Sequence, residues 1–237
     1  MRALLSWSSG KDSAWSLHAL RSASGKSPYG EVEVVGLLTT INAAFDRVAM
    51  HAVRTELLRE QADAAGVPLW PIEIPYPCSN EVYEAAMSAA MDRAKRERIE
   101  AVAFGDLFLE DVRRYREEKL APTGIRPIFP LWGSDTAKLA REMVAGGLRA
   151  TLTCVDPKVM PKELAGRTFD AKLLDELPPG VDPCGERGEF HTFCSAGPMF
   201  RREIEVAVGE IVERDGFVFA DLAPTAASAR RSSARAR

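Results

Sequence analysis

The chain has 237 residues, 46% of them apolar, with 31 basic residues against 34 acidic ones. That length holds one large domain or two small ones around a real core, and the near-balance of charge gives no basic field of the kind that marks a nucleic-acid binder. No apolar stretch reaches the roughly 18 residues that span a bilayer, no cleavage pattern follows the first residues, and four cysteines contain no C-x-x-C pair; a cytoplasmic protein without a zinc ribbon or disulfide framework is expected.

Ala3-Leu4-Leu5-Ser6-Trp7 is a short apolar run, the pattern of a parallel strand buried on both faces. Ala14, Leu17 and Leu20 then recur at helical spacing. Between them stands Ser8-Ser9-Gly10-Lys11-Asp12-Ser13, a strand-to-helix turn whose free amides and helix dipole favour an anion. Gly10 permits close approach, Ser8, Ser9 and Ser13 add hydroxyl donors, and Lys11 adds a point charge for phosphate. Asp12 is suited to hold magnesium or to cap the helix. The competing reading is a plain Ser/Gly turn capped by Asp12. A Walker loop is excluded by order, because an acid stands where the hydroxyl should follow the lysine.

Further strands are expected at residues 32–39, 69–74, 99–105 and 127–131, with helices at 49–65, 80–98 and 112–120 between them. Gly66-Val67-Pro68 supplies a stop, and Ser79-Asn80 and Asp111 are candidate N-caps. The alternation predicts an α/β fold, a five-stranded parallel doubly wound sheet over residues 1–132. Ligands bind beyond the carboxyl ends of such strands, which singles out 8–13, Thr40 with Ile41 and Asn42, 75–80, and Gly105-Asp106. The Asp106 carboxylate there is suited to magnesium or a ribose hydroxyl, or simply to capping its loop. His51 would approach from the start of its helix or sit on the surface.

From Gly133 the texture changes. A helix at 136–145 and a strand at 149–155 precede short antiparallel strands at 204–208, 211–212 and 217–219, with Gly209-Glu210 as a turn and Asp215-Gly216 as a hairpin signal. A smaller α+β domain over 133–222 is expected, then a disordered basic tail over 223–237. Within it Asp182-Pro183-Cys184-Gly185-Glu186-Arg187-Gly188-Glu189-Phe190-His191-Thr192 is dense in chemistry. Glu186 and Glu189 are placed to accept a proton or hold an ammonium, unless the stretch is only a solvated turn. A zinc reading of Cys184, His191 and Cys194 lacks standard spacing and a fourth ligand. Cys154 and Cys184 lie near strand ends, with nothing that argues a lowered thiol pKa.

Taken in order, Ser8 to Ser13, Phe104-Gly105-Asp106, Tyr115-Arg116-Glu117-Glu118, Pro130-Leu131-Trp132 and Cys184 to Phe190 resemble the diphthine–ammonia ligase family, within the ATP pyrophosphatases of the adenine nucleotide alpha-hydrolase group. Ser9 stands where that loop carries glycine, Arg187 replaces another glycine, and Phe190-His191-Thr192 is similar to the ending of the bacterial-type branch. The resemblance implies a HUP-like, Rossmann-like ATP domain and a substrate domain. It also implies ATP and magnesium as cofactors, ammonia and a carboxylate as substrates, and amide formation through an acyl-adenylate with release of AMP and pyrophosphate. Ser8 to Ser13, Thr40, Gly105 and Asp106 would bind the nucleotide, Asp12 and Asp106 the magnesium, and Lys11, Asp12, Glu186 and Glu189 would carry catalysis. The acid itself stays open, whether a small molecule or a modified protein side chain, and a homodimer is compatible. An RNA-modifying pyrophosphatase and a non-catalytic ATP sensor are the alternatives.

Overall fold

Each apolar residue of the first strand faces a covered side, which is what makes the sheet two-faced. In the computed structural model, which describes residues 1–22, 28–42, 47–48 and 53–225, Ala3 and Leu5 join one buried cluster and Leu4 joins another. Full burial of such a leucine stabilises the fold by about 1.5–3 kcal/mol.

The elements are β1 (Arg2–Ser6), α1 (Lys11–Ser22), β2 (Glu33–Asn42), β3 (Arg47–Val48), α2 (Thr55–Ala65), β4 (Leu69–Ile74), α3 (Asn80–Arg96), β5 (Ala101–Ala103), α4 (Glu110–Leu120) and β6 (Arg126–Ile128). The rest of the chain forms α5 (Thr136–Ala145), β7 (Arg149–Val155), α6 (Ala171–Glu176), β8 (Phe190–Ala196), β9 (Val206–Arg214) and β10 (Phe217–Pro224). Strands β4, β2, β1, β5 and β6 lie side by side and parallel. The short β3 pairs antiparallel with Ile41 and Asn42, in the lane that β1 leaves when it ends opposite Leu38. Leu57 and Leu58 of α2 share the cluster of Leu5 and Leu17, whereas Met91 and Ala94 of α3 share that of Leu4. The second sheet is antiparallel, in the order β8, β7, β10, β9. One cluster runs without a break from Leu5 and Leu17 to Leu152, Phe190 and Phe193, so the two sheets share a core.

Several local expectations change. β2 continues through Thr40 to Asn42 because β4 pairs with it along that whole stretch. Gly209-Glu210 is no turn: β9 passes through it, and the irregularity falls in β10 between Ala220 and Leu222. Asp215 and Gly216 do form the hairpin, both with positive φ (53° and 83°) as a primed turn needs. α6 and β3 had no expectation attached, and β10 extends two residues into the stretch expected as tail. Ser79 caps α3 by accepting from the Val82 amide (3.3 Å). Asp111, by contrast, lies inside the first turn of α4 behind Leu109. His51, the start of the expected 49–65 helix and positions 226–237 lie outside the described residues.

Candidate nucleotide-binding site

After β1 the chain moves outward to β2 and β4 on one side, then returns to β5 and β6 on the other. The connections that leave β1 and β5 therefore run to opposite sides of the sheet, opening the crevice where such sheets bind ligands. A polar cavity of about 230 Å³ lies there, lined among others by Ser8, Gly10, Asp12, Ser13, Gly105 and Asp106, and by Glu186 and His191 from the opposite part of the chain. Gly105 allows the two loops to meet: a Cβ on it would lie 3.1 Å from the Asp12 carbonyl carbon and 3.2 Å from the Ser13 nitrogen. Gly105→Ala is therefore expected to shift the 8–13 loop by a few tenths of an ångström without breaking its buried bonds, and to weaken ATP binding about tenfold in a calorimetric titration with only a small fall in melting temperature. Unaltered affinity would detach this contact from nucleotide binding.

The 8–13 loop is held from behind. Ser9 adopts a left-handed conformation (φ 68°), the geometry that favours glycine at this position. Its carbonyl accepts from the Cys194 amide (2.9 Å) and from Gln61 Nε2 (2.9 Å). Gln61 also donates to the Cys194 carbonyl (2.7 Å) and accepts from Trp7 Nε1 (2.9 Å), all out of contact with water. The Lys11 amide donates to Thr192 Oγ1 (3.1 Å) on β8. Ser9 thus shapes the loop from a buried position rather than lining the cavity. Ser8 and Ser13 do line it, with their hydroxyls 3.2 Å apart.

Lys11 lines the cavity together with Asp12, and its ammonium is already engaged. Its ammonium is 2% exposed, reaches Asp12 Oδ2 (2.8 Å) and Oδ1 (3.1 Å), donates to the Cys184 carbonyl, and sits over the rings of Phe190 (5.3 Å) and Phe169 (5.5 Å). Burial opposes its charge, but the neighbouring Asp12 carboxylate, with Cys184 and Glu186, outweighs burial and holds the pKa above its ordinary value. Lys11 is a charged clasp between the two halves of the chain. Asp12 stays about one-quarter exposed and faces the cavity.

The 182–189 loop is built by its own acids. Asp182 Oδ2 accepts from the amides of Cys184 (3.1 Å) and Glu186 (3.0 Å). Glu189 accepts from the amides of Asp182 (3.0 Å) and Arg187 (2.9 Å) and is 6% exposed. Glu189, read from sequence as a proton-handling group, is placed off the cavity and fixes the loop, because both its oxygens are engaged by backbone. Glu186 projects across to the other half and accepts from the Leu107 amide (2.7 Å). Desolvation pushes its carboxyl up to about 7, against the Leu107 bond and with the help of the Asp12 and Asp106 charges.

Asp106 is not open as a metal ligand in this arrangement. Arg116 of α4 grips both its oxygens (2.5 and 3.1 Å) and stacks on Phe104 (4.4 Å). Thr40 is mid-strand and does not line the cavity. Among the described residues no cluster of three or more His, Cys, Asp or Glu side chains is arranged to hold a metal. The Cys184 and Cys194 thiols donate to different carbonyls, those of Thr136 and Ala196. Burial pushes Cys154 up to about 11 and Cys184 up to about 12, which removes both as nucleophiles near neutral pH. His191 lines the cavity with its pKa lowered by burial and by Lys11. Arg116 and Thr192 had no role assigned from sequence. Arg116 enters the sequence reading only within Tyr115-Arg116-Glu117-Glu118 and Thr192 only within Phe190-His191-Thr192, and neither motif states a role for the side chain.

Two family models match the chain: the diphthamide synthase N-terminal domain over residues 1–127 and the diphthamide synthase C-terminal domain over residues 135–221. Curated diphthine–ammonia ligases are similar in sequence. The human one is 31% identical over 135 residues, 54% of this chain and 50% of its own length. The rat one is 32% identical over 139 residues with the same shares. The zebrafish one is 28% identical over 233 residues, 90% of this chain and 89% of its own. The chain spans about half the length of the mammalian relatives it matches. With both halves matched in order, the chain belongs to the diphthamide synthase family.

Proposed function

We propose that the protein is an ATP-dependent, AMP-forming carbon–nitrogen ligase that activates a carboxylic acid as an acyl-adenylate and transfers the acyl group to ammonia. The observation that carries this reading is the meeting of the 8–13 loop, Gly105 and Glu186 around one polar cavity at the switch point of the sheet. The amino end of α1 and the hydroxyls of Ser8 and Ser13 would receive the phosphates. A carboxylate oxygen attacks the α-phosphorus, the bond to the β-phosphate breaks, and pyrophosphate leaves. Ammonia then attacks the acyl carbon, AMP departs, and the extra proton passes to Glu186, whose pKa near 7 suits that transfer.

Asp12 faces the cavity and, with the nucleotide's own phosphates, fits the one or two carboxylates that magnesium needs, whereas Asp106 would first have to release Arg116. Magnesium bound there supplies charge neutralisation on the phosphates. Product analysis decides the reading. With ATP, ammonium and a panel of carboxylic acids, the expected result is AMP and pyrophosphate in equal amounts, dependent on the acid. Release of ADP and phosphate, or tight ATP binding with no turnover on any acid, would contradict it.

A further inference from the structure

A second cavity, of about 300 Å³, lies on the far side of the parallel sheet, between α3 and α4. Its floor is Leu38, Val102 and Phe104, and its walls carry Met87, Tyr83 and Tyr115. Lys119 and Glu84 pair across its rim from the two helices (2.5 Å). The lining is mostly apolar, with Glu84, Ser88, Arg116, Lys119 and Thr123 as its polar members, whereas the cavity at the switch point is mostly polar. The two are joined by one side chain. Arg116 lines both, with its guanidinium on the Phe104 ring and its Nε and Nη2 on Asp106. Among the described residues, no hydrogen bond of its Nη1 is found. A mostly apolar slot that ends on an arginine, with Nε and Nη2 paired to Asp106 and Nη1 left to bind, fits a ligand with an apolar body and an anionic head.

We propose that the α3–α4 groove is the acyl subsite of this centre: it takes the apolar body of a monocarboxylic acid, and Arg116 holds the carboxylate at the edge of the nucleotide cavity. This rests on the ligase reading above and narrows its substrate class to an apolar, aromatic-sized acid. The acid is presented to the α-phosphorus from the side opposite α1. Asp106 keeps Arg116 oriented until the carboxylate arrives, and so acts as a positioning residue.

The test uses the full chain and two probes of equal shape, phenylbutyrate and phenylbutanol, titrated by calorimetry with and without ATP. Phenylbutyrate is expected to bind about tenfold more tightly than the alcohol, the difference being the charge-assisted bond to Arg116. Arg116→Gln should bring the acid down to the affinity of the alcohol. Met87→Trp fills the groove and should abolish phenylbutyrate binding while leaving the ATP dissociation constant within about threefold of the unmodified chain. Ser88→Trp, at the more exposed edge, gives the same expected loss should Met87→Trp fold poorly. Equal affinity for the two probes, or binding that survives both tryptophan variants, would overturn the subsite. ATP binding without phenylbutyrate binding sinks the subsite alone. Phenylbutyrate binding that depends on Arg116, with no ATP binding, supports the subsite and sinks the ligase reading.

Discussion

Lys11→Met is expected to lower stability by about 3 kcal/mol, a fall of roughly 6–12 °C in melting temperature for a chain of this size, and to abolish AMP formation. The methionine fills most of the volume, so the loss is electrostatic. The Cys184 carbonyl loses its donor, Asp12 loses its cation, and the faces of Phe169 and Phe190 lose the charge they stack against. Removing one member of a buried pair leaves the other uncompensated, and the partial exposure of Asp12 keeps the cost toward the lower end of the usual range. A lysine with its ammonium unengaged in the cavity, held only for phosphate, would behave otherwise. Its removal would cost ATP affinity and leave the melting temperature unchanged, and that outcome in thermal denaturation would refute the clasp.

Glu186→Gln is expected to keep ATP affinity within about threefold while slowing acid- and ammonia-dependent AMP formation by about 10²–10³. Glutamine can still accept from the Leu107 amide, so the loop stays in place. What it cannot do is take a proton. The groups around Glu186 include the Leu107 and Phe108 amides, the carboxylates of Asp12 and Asp106, the Lys11 ammonium and the Cys184 thiol, and burial is the largest influence on its titration. The rate of the unmodified protein should rise through pH 7 as Glu186 ionises, and this limb should be absent in the variant.

Stability should move in the opposite direction. With its folded pKa raised from 4.5 to about 7, the carboxyl binds its proton more tightly in the folded state than in the unfolded one. Its contribution is present at low pH and is lost as pH rises through that window. The Gln variant should show a flatter melting temperature between pH 5 and pH 8. A variant that turns over within twofold of the unmodified protein, with the same rising limb, would remove Glu186 from proton transfer.

The parts of this molecule that were legible in the sequence are those whose causes are local. β4, α5 and β7 fall at their expected residues because their apolar patterns are contiguous and Gly66-Val67-Pro68 sits directly before β4. The 8–13 loop was legible for the same reason: strand, turn chemistry and helix are contiguous. What was not legible depends on partners far along the chain. Lys11 reads as a phosphate ligand, and it does line the cavity, but its bond to the carbonyl of Cys184, 173 residues away, has no local sign. Gln61 carries no local sign of a role, and its burial is explained by the carbonyls of Ser9 and Cys194 and by the Trp7 indole. Glu186 and Glu189 look equivalent in sequence, yet one crosses to Leu107 and the other turns back onto its own loop. Thr40 was expected just past a strand that in fact continues, because pairing with β4 extends it.

Hydrogen exchange of backbone amides, followed with and without ATP and magnesium, tests most directly whether the cavity between the two halves is the nucleotide site. The expected result is slowed exchange confined to three segments that line it, residues 6–14, 104–108 and 184–192, with the β9–β10 hairpin unchanged. Protection elsewhere with these three segments unaffected, or no protection at saturating ATP, would contradict it.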